Sequence, residues 1–136
     1  MRRYLLDTGI AGDLINRRAG VHLRAREAIA RGDRVGVCMP VVGELFAGVE
    51  LSKTRDKNRV RLVRALSSLH VWPFDQAVAE EYGRVFATPR HKGRPMQQID
   101  IRIAAIALVL GNCTVVTKDS DLSAVPGLVV EDWTAA

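Results

Sequence analysis

The sequence YLLDTGI at residues 4–10 changes from apolar to polar at its centre. Residues 4–6 suit a buried strand, and Asp7 then ends the apolar run. Thr8 is suited to be the N-cap of a helix over residues 8–17, TGIAGDLINR. The stretch therefore predicts a buried strand that leads directly into a helix, with a carboxylate where the strand ends.

Segments of strand-like and helix-like periodicity alternate along the rest of the chain. We expect strands over residues 34–39, 69–74, 113–117 and 127–132, and helices over 21–32, 40–51, 53–69, 75–88 and 98–111. In the basic helix over 53–69, Val60, Val63 and Leu66 are expected to form the apolar stripe. This alternation predicts an α/β fold with a central, mainly parallel sheet of about five strands and helices on both faces.

The composition predicts one domain with an apolar core of ordinary size. The chain has 136 residues, of which 48% are hydrophobic, so disorder is disfavoured. Its most apolar run, residues 101–110, is about half as long as a bilayer requires, and the segment before Asp7 is not typical of a signal peptide. Cys38 and Cys113 occur singly in apolar runs, as buried thiols do in a reducing cytosol. We therefore expect a cytoplasmic protein that does not associate with membranes.

Acidic residues recur where strands end or where the next helix begins. Asp7 ends the first strand, and Glu44 follows the second strand by about one helical turn. Asp100 lies near the start of the most apolar helix, and Asp119 and Asp121 follow the strand over 113–117. Because functional sites of parallel sheets lie beyond the carboxyl ends of the strands, we expect these acids to meet at one edge.

Several carboxylates at one place repel one another, and a divalent cation resolves the conflict. A ligand set of oxygens without cysteine or histidine indicates a hard ion, Mg²⁺ or Mn²⁺. Each acid also has a simpler interpretation. Asp7 could only cap a helix, Glu44 could pair with an arginine, and Asp100 could be an ordinary acid of a helix start. Asp119 and Asp121 could be turn residues.

Four segments together resemble the ordered motifs of PIN-domain proteins. They are YLLDTGI (4–10), PVVGELFAGVE (40–50), GRPMQQIDIRIAAIAL (93–108) and VVTKDSDLSAVPGLVVEDW (115–133). More narrowly, they resemble the VapC-type toxins of toxin–antitoxin pairs. The resemblance implies a single PIN domain over residues 1–136, built as a three-layer α/β/α sandwich. It also implies a metal-dependent endoribonuclease that uses Mg²⁺ or Mn²⁺.

The resemblance also assigns roles to individual residues. The catalytic acids are Asp7, Glu44, Asp100 and Asp119, and the metal ligands are Asp7, Asp100, Asp119 and Asp121, with Asp121 either a ligand or an outer-shell partner. Thr8 and Thr117 would orient water or ligands through their hydroxyls. Hydrolysis is expected to leave a 5′-phosphate and a 3′-hydroxyl.

The net charge of +5 favours a polyanionic partner, and RNA is the one that the resemblance implies. Arg59 and Arg61, with the basic loop RHKGR at 90–94, could contact phosphates or could be a solvated face. A structured RNA such as tRNA or rRNA would suit recognition by shape.

For a toxin, the resemblance further implies a VapB-type antitoxin whose tail occupies a groove. Phe46, Val49 and Leu51 could line this groove or could equally belong to the core. It also implies a homodimer and a toxin–antitoxin hetero-oligomer. Two alternatives remain: a PIN nuclease of RNA processing outside any toxin pair, and a catalytically silent nucleic-acid-binding module.

Overall fold

The computed structural model describes residues 1–88 and 96–134. Within these residues the strands and helices follow one another in the predicted alternation. The elements are β1 (Arg3–Leu6), α1 (Thr8–Ile15), α2 (Val21–Ala30), β2 (Arg34–Cys38), α3 (Met39–Glu50), α4 (Arg55–Leu66), β3 (His70–Trp72), α5 (Gln76–Ala87), α6 (Gln98–Leu110), β4 (Cys113–Val116), a short 3₁₀-helix (Ser120–Ala124) and β5 (Val129–Glu131).

The strands form one five-stranded sheet in the order β3-β2-β1-β4-β5, in which each neighbouring pair is parallel. The predicted α/β fold with a parallel sheet of about five strands is confirmed. β1 lies at the centre, so its carboxyl end has those of β2 and β4 on either side. Leu6 is in register with Val116 of β4, which brings residue 7 beside residue 117.

The sheet is buried on both faces. Leu5 and Leu6 point to opposite faces and are both fully buried, as expected of a central strand of a parallel sheet. α6 is apolar almost all round because α5, α3 and β4 all pack against it. Asp100 therefore lies in the first turn of a helix that is buried over most of its length.

The basic helix α4 packs differently from the prediction. Val60 and Val63, expected in its apolar stripe, are 55% and 45% exposed, whereas Leu62 is buried. α4 spans Arg55–Leu66, shorter than the predicted 53–69, and it packs against α3 and α1. Because these two helices approach from the Leu62 side, that side becomes the buried face whatever the hydrophobicity of its neighbours.

The described helices are all too short or too polar to cross a membrane. Cys38 is fully buried and Cys113 partly buried, and both are free thiols. Burial raises the pKa of the Cys38 thiol to about 11 and that of Cys113 to about 12, so both are unreactive at neutral pH.

Candidate active site

Asp7 joins the end of β1 to the start of α1. Its Oδ1 accepts a hydrogen bond of 2.8 Å from the backbone N–H of Ile10, so the N-cap of α1 is Asp7, as the simpler interpretation of that residue predicts, and the prediction of Thr8 is wrong. A carboxylate is at least as good a cap as a hydroxyl, and the β1–β4 register places Asp7 at that position. Its backbone N–H also donates to Val116 at 3.0 Å, which fixes the residue against β4.

Thr117 connects Asp7 to the loop that follows β4. It is buried, and its hydroxyl lies close enough to the Asp7 carboxylate to lower the pKa of that group. The same hydroxyl oxygen accepts the backbone N–H of Asp119 at 2.9 Å, and Asp119 Oδ1 accepts the N–H of Asp121 at 2.9 Å. One buried hydroxyl therefore lies between the acid that follows β1 and the acid that follows β4.

Glu44 reaches the same edge from α3. The hydroxyl of Thr8 donates to Glu44 Oε1 at 2.6 Å, a short hydrogen bond to a charged acceptor. Thr8 is thus free of the capping role because Asp7 performs it. Its hydroxyl orients a carboxylate of another helix instead.

The pKa of Asp100 indicates that the five acids lie near one another. The pKa of Asp100 is raised from 3.8 to about 6, first by burial and then by four negative charges: those of Asp119, Asp7, Asp121 and Glu44, in decreasing order. Burial likewise raises the pKa of Asp7, with a contribution from Asp119. The carboxylates predicted from separate motifs therefore lie within reach of one another's charge.

The donor set fits a hard divalent cation. All five side chains offer carboxylate oxygens, and their mutual repulsion is the conflict that a cation would relieve. Within residues 1–88 and 96–134, no three acidic, histidine or cysteine side chains already stand in the closed geometry of a metal site. The fit rests on the ligand chemistry of the carboxylates and on the electrostatic repulsion among them.

The residues predicted to bind partners are more dispersed. Arg61 lies in a groove of about 210 Å³ between α1, α3 and α4, where its Nη1 donates to Asn16 Oδ1 at 3.1 Å, and Arg59 is exposed. Val49 lines this groove, whereas Phe46 packs partly buried against the core. Leu51, the third residue assigned to the groove, follows α3 and is 88% exposed. The basic loop 90–94 lies outside the described residues.

Comparison with known proteins places this arrangement in a family. The PIN domain family model matches residues 4–128. The chain is 29% identical over 131 residues to Ribonuclease VapC2 of Rickettsia felis, covering 96% of this chain and 97% of that protein. It is 30% identical over 134 residues to the tRNA(fMet)-specific endonuclease VapC of Shigella flexneri, covering 98% and 99%.

The fold agrees with the same conclusion. The crystal structure of VapBC2 from Rickettsia felis, bound to a DNA fragment from their promoter, contains a chain that superimposes with a TM-score of 0.86 at 27% identity. The superposition covers 96% of this chain and 98% of that one. The chain therefore belongs to the PIN-domain family, among its VapC-type ribonucleases.

Proposed function

We propose that the chain is a metal-dependent endoribonuclease that hydrolyses RNA phosphodiester bonds at the five-acid cluster. The observation that carries this is the convergence on Asp100: each of the four other carboxylates raises its pKa. A structural ion-pair network would place cations between the acids, and would lower such a pKa instead. Perturbation of this kind at a sheet edge is typical of a functional site.

Asp7, Asp100 and Asp119 are suited to hold the ion, with Asp121 as a further ligand or an outer-shell partner. When bound, Mg²⁺ or Mn²⁺ would lower the pKa of the attacking water and neutralise charge on the phosphoryl oxygens. Thr8 occupies Glu44 Oε1, which leaves Oε2 to accept a proton from that water. Thr117 keeps the Asp7 and Asp119 carboxylates in place during the reaction.

RNA is the proposed substrate, and a structured RNA such as tRNA or rRNA suits the family best. Support comes from the net charge of +5 and from the exposed arginines of α4. Support also comes from the name of the Shigella relative, a tRNA(fMet)-specific endonuclease. A PIN nuclease of RNA processing outside a toxin pair would use the same cluster, and a catalytically silent module would not need it.

Purified protein is expected to cut total RNA in the presence of Mg²⁺ or Mn²⁺ and to stop when EDTA is added. Mapping the new ends by ligation that requires a 5′-phosphate tests the direction of cleavage. Activity that survives chelation, or products with a 5′-hydroxyl, would contradict a metal-dependent hydrolysis of this kind. Inspection of the mapped ends also identifies the RNA that is cut.

The two functions of Asp7 can be separated by comparing three variants. Asp7→Asn keeps a side-chain oxygen for the Ile10 N–H but weakens the metal site, whereas Asp7→Ala loses both. The matched control is Asp75, which caps α5 by accepting the Val78 N–H at 3.0 Å, away from the cluster. Without metal, we expect Asp75→Ala to lower the free energy of unfolding by about 1 kcal/mol. Asp7→Ala should lower it by less, because relief of the burial and repulsion that raise the Asp7 pKa offsets the lost cap, and Asp7→Asn, which keeps the cap, should not lower it.

Cleavage should follow a different order from stability in these variants. We expect both Asp7 variants to lose RNA cleavage and Asp75→Ala to keep it. Denaturant unfolding and a cleavage assay on the same preparations measure the two effects. If Asp7→Asn cuts RNA at the wild-type rate, Asp7 is only a helix cap.

We further propose that a VapB-type antitoxin inhibits this nuclease in the cytoplasm, in a hetero-oligomer that contains a homodimer of the chain. Support comes from the Rickettsia felis chain, whose structure is that of a VapBC2 complex. The groove between α1, α3 and α4, with Val49 on its wall, is a suitable place for a partner segment. Co-expression with a short neighbouring reading frame tests the partner: its product should copurify and restore growth that the nuclease alone arrests.

A further inference from the structure

A buried carboxylate outside the acid cluster, that of Asp13, pairs with two basic side chains. Asp13 lies on the inward face of α1 and is only 7% exposed. It shares this face with Ile10 and Ala11, which are apolar and fully buried, so a charged residue is unexpected there. Lys118 Nζ is 3.1 Å from Asp13 Oδ2, and Arg18 Nε is 3.3 Å from Oδ1. A buried carboxylate is costly unless it is paired, so this arrangement has a physical cause within the fold.

The position of Lys118 connects this trio to the acid cluster. Lys118 stands between Thr117 and Asp119, the two residues that organise the loop after β4. Its positive charge lowers the pKa of Asp7, against the effect of burial, so the ammonium acts on the cluster itself. Arg18 is tied to the same helix by its backbone as well, since its N–H donates to the Asp13 carbonyl at 2.8 Å.

Charge and exposure indicate what the trio can bind. Two cations on one carboxylate leave a net positive charge, and the side chains of Lys118 and Arg18 are 56% and 64% exposed. The contact between Lys118 and Oδ2 is not aligned as a hydrogen bond, and Oδ2 has no aligned donor among the described residues. The ammonium of Lys118 can therefore donate its N–H groups to an anion without giving up an aligned hydrogen bond to Asp13.

A polyanionic substrate needs such a site. Five carboxylates carry more negative charge than a single divalent ion neutralises, so an RNA backbone approaching the cluster is repelled unless cations flank it. We infer that Asp13, Lys118 and Arg18 form a binding site for an RNA backbone phosphate beside the acid cluster, in which buried Asp13 is the positioning residue. This inference rests on the proposed nuclease function.

The test measures binding separately from cleavage. Anisotropy of a fluorescein-labelled oligouridylate in EDTA gives its affinity at a series of KCl concentrations for wild type, Lys118→Gln, Lys118→Arg and Asp13→Asn. The matched control is Arg84→Gln, which removes the same charge from an exposed arginine that pairs with Glu81 on α5. The slope of log affinity against log salt is negative. Each single-strand phosphate contact that is lost makes it shallower by about 0.7.

We expect Lys118→Gln to reduce the salt slope by about this amount and to weaken binding severalfold. Lys118→Arg should restore most of both, and Arg84→Gln should leave the slope at the wild-type value. Under Mg²⁺, Lys118→Gln should raise KM more than it lowers kcat, because the phosphate contact serves binding. A loss of stability alone would lower the active fraction and leave the slope unchanged.

Asp13→Asn distinguishes positioning from simple charge. It makes the protein more positive, so a charge effect alone would tighten RNA binding. Loss of the anchor for Lys118 and Arg18 should weaken it instead. The phosphate site is overturned if Lys118→Gln has the same slope as Arg84→Gln, if Asp13→Asn binds more tightly than wild type, or if wild type does not bind the oligouridylate at low salt. Wild type that binds the oligouridylate but cuts no RNA with Mg²⁺ would overturn the proposed nuclease and leave this site in place.

Discussion

Asp100→Asn is expected to reduce RNA cleavage by more than about a hundredfold while the protein remains folded. Loss of an outer-shell partner of a metal already costs roughly 10–100-fold, and Asp100 is proposed to bind the ion directly. Asparagine has nearly the same shape, so the packing of α6 against α5 and α3 should survive. Initial rates on a mapped RNA substrate, with circular dichroism of the same preparation, measure both quantities.

Asp56→Asn is the matched control for this substitution. Asp56 also lies in the first turn of a helix, α4, but its side chain is almost fully exposed and outside the cluster. Both variants lose one negative charge near a helix N-terminus, so any effect of the helix dipole or of net charge is common to them. Wild-type cleavage by Asp100→Asn, or an equal loss in Asp56→Asn, would remove Asp100 from the reaction.

The fold and the acid cluster could be predicted because both follow from local patterns. An apolar run that ends in Asp7 and continues as a helix defines β1 and α1, and a parallel sheet brings such strand ends to one edge. Glu44, Asp100 and Asp119 could be placed there by the same rule before any distances were known. Thr8 and Thr117 are also expected there as orienting hydroxyls, and the structure adds their partners: Glu44 for Thr8, and Asp7 and the Asp119 backbone for Thr117.

Features that depend on tertiary packing could not be predicted in this way. Thr8 and Asp7 are both good caps in isolation, and the register of β1 with β4 decides in favour of Asp7. The buried side of α4 is set by the approach of α1 and α3, which favours Leu62 over Val60.

Asp13 gave a signal that sequence analysis missed. A carboxylate three residues after Ile10, on the same helix face, must have a buried partner. Its partner Lys118 comes from the other end of the chain, and no local pattern identifies it. Charged residues on apolar helix faces therefore indicate a long-range ion pair without indicating the second member.

The same Asp100→Asn substitution is expected to stabilise the metal-free protein at pH values well above 6. The pKa of Asp100 is about 6 in the folded state and about 3.8 in the unfolded chain. Between these values the folded state holds a proton that the unfolded state has released, so stability decreases as the pH rises towards 6. Asparagine carries no proton and no charge, so Tm should exceed that of wild type above pH 6, and the gain should shrink as the pH falls towards 3.8.

Thermal unfolding in EDTA across this pH range measures the effect, with Asp56→Asn again as the control. Added Mg²⁺ or Mn²⁺ should raise the Tm of wild type more than that of Asp100→Asn, because an ion that binds only the folded state stabilises it. Parallel Tm curves for the two proteins would show that Asp100 has an ordinary solvated carboxylate. If the Asp100 carboxylate lowers stability without the ion and is required for cleavage with it, the residue serves the chemistry and not the fold. The Asp100→Asn variant should therefore gain stability and lose activity together.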